Sequence, residues 1–76
     1  MTSARLSGLM VALRRLATDY SLASHERTLA VERAIDEYLV KDPMTRKQML
    51  DELNHEVAAE TGEFWVTVRD VITQRR

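Results

Sequence analysis

Apolar residues recur at helical spacing in four stretches of the chain. Leu6, Leu9, Leu13, Leu16 and Tyr20 follow a 3-4-3-4 spacing, Met10 and Ala17 widen the stripe, and Ser7, Arg14 and Arg15 fall off it. This predicts a first helix over 4–18 with a seam suited to packing on another helix. Residues 18–24 (TDYSLAS) are rich in hydroxyls and predict a bend. A second helix is expected over 24–40, with Ser24 as N-cap and Glu26 in its first turn. Val31, Ala34, Ile35, Tyr38 and Leu39 form its apolar face. Leu29 and Val40 lie on its polar side, as either a second contact surface or, by default, scattered surface apolars. Asp42-Pro43 stops that helix, because the residue before proline is pushed out of the α region. A third helix is expected over 45–61, opened by the capping box Thr45-x-x-Gln48 and the hydrophobic staple Met44/Met49. Met49, Leu50, Leu53, Val57 and Ala58 supply its buried stripe, and Gly62 closes it.

The last stretch is rich in β-branched and aromatic residues, which suits a strand. No second strand exists elsewhere in the chain to pair with it. Phe64, Val68, Val71 and Ile72 also fit one face of a helix over 64–74, and that is the assignment adopted here; pairing of an extended 64–72 with another chain is the alternative. The fold class expected is therefore all-α, a small bundle of about four helices in one domain spanning 1–76. Residues 1–42 would form a helical hairpin that carries association, and 43–76 a helix-turn-helix-like pair.

Size sharpens this picture. A chain of 76 residues buries only about 60% of its unfolded surface, so a partner would help it. Two Gly and one Pro favour long helices over hairpins, and the absence of Cys removes disulfides, thiolate metal sites and cysteine nucleophiles. The net charge of −1 lacks the basic excess usual in a dedicated nucleic-acid binder. Charge is uneven, however: no acidic residue precedes Asp19, while Arg5, Arg14 and Arg15 do. An ordinary amphipathic helix with a basic outer face explains this better than a targeting or membrane-surface segment. The apolar run 9–13 is too short to span a bilayer, and a cytoplasmic location without membrane attachment is expected.

Catalytic patterns fail on spacing. His25-Glu26 and His55-Glu56 each open a zinc-protease motif, but the positions four after each His hold Leu29 and Ala59. Asp51 and His55 could meet on a helix surface as a weak pair. Gly8 and Gly62 are too far apart to make a phosphate loop, and the acidic residues are dispersed along solvent faces. The chain reads as no enzyme, with no metal, no cofactor and no small-molecule substrate.

Val57, Ala58, Gly62, Thr67, Val68, Val71, Ile72 and Gln74 carry the spacing of two short helices meeting at a tight turn. Over residues 57–74 the chain resembles the helix-turn-helix of lactose-repressor-type DNA-binding regulators. The resemblance implies a second helix lying in the major groove, with Trp65 and Val66 at base-reading positions and Thr67 beside them. Arg46, Lys47, Arg69, Arg75 and Arg76 would meet phosphates. The chain departs from that family at Asp70, where an Arg is usual, at Glu63, where an aliphatic residue is buried, and at Phe64, where a hydroxyl caps the helix. More weakly, Met44-Thr45-Arg46-Lys47 with Met49, Leu50 and Leu53 is similar to the opening helix pair of bacterial histone-like proteins, without the β-arms that bind DNA in those proteins.

The reading preferred from sequence is a small non-enzymatic regulatory or interaction module of the kind found in phage, plasmid or antitoxin-like regulators. It would contact protein, as a homodimer or with another partner, through Leu6, Leu9, Leu13, Leu16 and Tyr20 and through a Phe64-Trp65 corner. The alternative is a DNA-binding transcription regulator that dimerises through its N-terminal helices.

Overall fold

The computed structural model describes residues 4–40 and 46–76. Among them lie four helices: α1 (Ala4–Ala17), α2 (Ser24–Val40), α3 (Arg46–Val57) and α4 (Glu63–Arg75). The strand assignment considered for 64–72 is excluded, since those residues lie within α4. The expected capping box and staple, and the Asp42-Pro43 stop, depend on residues 42–45 and so lie outside the described residues.

α1 and α2 form an antiparallel hairpin. Arg5, near the start of α1, donates through Nη2 to the Tyr38 carbonyl near the end of α2 at 2.7 Å, and its guanidinium stands 5.4 Å from the Tyr38 ring centre. The cation thereby satisfies a carbonyl that the helix terminus leaves open and complements the negative end of the dipole. The six-residue connection is the bend that its composition predicts. Thr18 Oγ1 donates back to the Arg15 carbonyl at 3.2 Å, the Asp19 carboxylate accepts the Ser21 amide at 3.1 Å, and Arg27 Nη2 reaches the Asp19 carbonyl at 2.7 Å. α2 spans the expected 24–40, but Ser24 lies inside its first turn and is not the N-cap: the Ala23 carbonyl already accepts from the Arg27 amide at 2.9 Å.

α2 packs on α1 and α4, and α4 packs on α3, so α2 and α4 form the centre of the bundle. A single core draws on all four helices. Leu13, Val31, Ile35, Leu53, Val57 and Val68 are its most deeply buried members, and no polar or charged described residue is fully buried. Arg75 clamps α4 to α2 with a two-pronged contact on Asp36, at 2.7 Å and 3.1 Å. Arg14 on α1 reaches Glu60 in the α3–α4 connection at 3.2 Å, and Arg76 reaches Asp51 on α3 at 3.0 Å.

The α3–α4 corner differs from the expected geometry. α3 ends at Val57 rather than 61, and Ala58 is exposed just beyond it, so it is not part of the buried stripe. Gly62 does have positive φ, at 111°, but its ψ of 164° is extended. It therefore leads into α4 as the N-cap, its carbonyl accepting from Trp65 and Val66 amides, and does not close α3. Arg69 ties this corner together. From the middle of α4 its Nη2 donates to the Val57 carbonyl, which also accepts the Glu60 amide at 3.0 Å, and to the Glu60 carbonyl in the connection.

Candidate interaction surface

The residues picked out by the apolar seam are mostly taken up inside the chain. Leu6, Leu9 and Leu13 are buried in the core, and Leu16 is half-buried against it. Tyr20 alone of the five stands in solvent, 87% exposed in the bend. At the α4 corner, Trp65 is buried and Phe64 half-buried, their rings meeting edge-to-face at 5.1 Å. The favourable quadrupole geometry and the burial make this pair part of the fold.

The residues assigned to DNA contact do not form one surface. Trp65 points inward while Val66 is 51% exposed. Thr67 Oγ1 turns back to the Glu63 carbonyl at 3.4 Å. Arg69, Arg75 and Arg76 are turned to the acceptors described above, and Arg46 Nη2 lies 3.4 Å from the Arg75 carbonyl. Arg46, Lys47, Arg75 and Arg76 do line one hollow of about 360 Å³ with Leu50 and Asp51. The outward face of α4 consists of Glu63, Val66, Asp70, Thr73 and Gln74: two carboxylates and no cation.

A different surface stands open on the far side of the hairpin. Two contiguous hollows of about 620 and 350 Å³ run along the α1–α2 boundary and share Ala12, Ala34 and Glu37. Ala12, Leu16, Leu22, Leu29, Ala30 and Ala34 give the groove an apolar lining. Leu29 is 52% exposed there, so it belongs to a lined depression and is not a scattered surface apolar. Its rim is mixed in sign: Arg5, Arg15 and Arg33 against Asp19, Glu26 and Glu37. Within it, the Ser21 hydroxyl and amide bonded to Asp19 hold that carboxyl below its usual value. Burial raises the Tyr38 phenol above its usual value, helped by Glu52 and opposed by Arg5.

Periodicity missed this groove because its floor is built from small residues. Gly8 and Ala12, and Ala30 and Ala34, are each four apart, and that spacing was the available signal. Leu6-type positions dominate a hydrophobic stripe and hide the shallower face beside it.

No described helix is long and apolar enough to cross a membrane. Among the described residues no three His, Asp or Glu side chains gather to hold a metal ion. No family model matches the chain, and neither a curated protein nor a solved structure matches it.

Proposed function

We propose that the chain is a small, non-enzymatic regulatory or interaction module that works by protein–protein contact through an apolar helical surface. The observation that carries this reading is the α1–α2 groove, an apolar-lined depression of about 620 Å³ left open although the core is already closed. An exposed apolar depression with a polar rim is an arrangement that contact sites share. A cysteine-free chain also loses nothing in the reducing cytoplasm, where we place it.

The geometry favours protein contact over DNA reading. A helix presenting Glu63 and Asp70 outward would set carboxylates against phosphates, and phosphate attraction supplies most non-specific affinity. Two measurements test the proposal. A photo-crosslinking side chain at position 29 should give protein adducts in the source cell, while the same probe at exposed position 74 should not. Labelled duplex DNA should show no saturable anisotropy change near physiological salt. Absence of adducts at position 29, or salt-sensitive saturable DNA binding, would reject it.

A further inference from the structure

Resting on the protein-contact reading, we infer that the α1–α2 groove is covered by a second copy of this chain, two hairpins stacking across a two-fold axis. The charge of the rim selects this occupant. Three cations and three carboxylates border the groove, so a strongly acidic or strongly basic partner would be opposed by half of them. A two-fold contact places a patch against itself, and a patch of balanced, mixed sign can match itself. Arg5 lies at one end, beside Tyr38, and the hollow beyond the shared Ala12, Ala34 and Glu37 holds Asp19 and Glu26 together with Arg15 and Arg33. A two-fold axis near the middle lets each copy's Arg5 meet the other copy's Asp19 or Glu26, and its Glu37 meet Arg15 or Arg33.

Steric access agrees. Gly8 sits inside α1, where glycine weakens a helix, and a Cβ there would meet nothing within 4 Å. No neighbour within the chain requires the missing side chain. Ala12 and Ala34 continue the low wall, and small residues at a crossing allow helix axes to approach to about 8 Å. The groove borders the seam at Leu9 and Leu16, whereas Leu6 and Leu13 are buried within the chain and do not line it.

The test is light scattering and cross-linking on the purified full chain. Wild type should run at twice the chain mass. Ala12→Arg and Leu29→Glu, both at exposed positions, should run as monomers with unchanged helical circular dichroism and weaken association at least about tenfold. Gln74→Arg, on the opposite face, should remain dimeric. Because the chain has no cysteine, Ala12→Cys alone should form an intermolecular disulfide under mild oxidation, and Gln74→Cys should not. This second readout does not depend on the folding of the charged variants. A wild type that stays monomeric at millimolar concentration overturns the self-association. So does a dimer that survives both groove substitutions without an Ala12→Cys bridge. A monomer that still yields a position-29 adduct of another mass in cells rejects the second copy but keeps protein contact; a monomer without adducts rejects both.

Discussion

Gly62 and Gly8 respond to a methyl group in opposite directions, because one is held by its backbone and the other is not. At φ 111° Gly62 adopts a conformation that a side chain strains, so Gly62→Ala should destabilise the chain by about 1–2 kcal/mol although a Cβ has open space there. Gly8→Ala should instead stabilise the isolated chain by about 0.5–1 kcal/mol, by restoring helix propensity at no steric cost. Urea unfolding in dilute solution reads both, and equal signs would refute the contrast. Charge at single residues has a pH signature. The two-pronged Arg75 contact lowers the Asp36 carboxyl from its ordinary 3.8, with burial opposing. A depressed folded value means stabilisation is complete above the unfolded value and is lost as pH falls through the folded one. Asp36 is about half exposed (49%), so the pair is worth no more than about 1 kcal/mol after solvent screening. Asp36→Asn should therefore sit slightly below wild type above pH 5 and converge with it near pH 2. Unfolding curves that coincide at every pH would remove the contribution.

The corner between α3 and α4 is governed by one long side chain acting across elements. Arg69 supplies donors to the Val57 and Glu60 carbonyls, and truncating it leaves both without that partner. Arg69→Met keeps the apolar stem and should destabilise the chain by about 1–3 kcal/mol, while amide exchange over 58–62 quickens. Arg69→Lys should recover part of this, since its ammonium keeps the charge and donors on a shorter, non-planar head that does not reproduce the guanidinium's reach. Full stability in Arg69→Met would show the contact to be incidental. The same residue explains what the sequence could and could not reveal. α1, α2 and α4 were legible to within about a residue, because each is bounded by a change in local pattern that a periodicity argument detects. The end of α3 was not, because the side chain that ties the corner together lies twelve positions beyond Val57. Likewise the 3-4-3-4 seam was correctly located as a packing surface from Leu6 to Leu16 but not at Tyr20, and spacing alone does not say whether α2 or another molecule fills it. The groove was illegible for the complementary reason: alanines and a glycine give weak hydrophobic signal, and only the apposition of α1 with α2 turns them into a lining.

At the scale of the whole molecule, the core and the groove should separate in their dependence on concentration. Leu13 is fully buried among core residues, so Leu13→Ala should cost about 2–5 kcal/mol through lost transfer energy and cavity formation, whatever the concentration. Leu29 contributes only at the surface, so Leu29→Glu should leave the dilute chain close to wild type in stability. Association couples to folding by mass action, and native copies that pair are withdrawn from the unfolding equilibrium. For a chain that unfolds directly from the dimer, a hundredfold rise in concentration adds about 1.4 kcal/mol per chain, half of RT ln 100. In a domain of this size that raises Tm by on the order of 5–10 °C. Wild type and Leu13→Ala should both show this rise, the latter from a lower starting point. Ala12→Arg and Leu29→Glu should melt at one temperature throughout. Calorimetry at two concentrations above the wild-type dissociation constant distinguishes the cases. A wild-type Tm independent of concentration would mean that the bundle is stable alone and that its groove is not closed by its own kind.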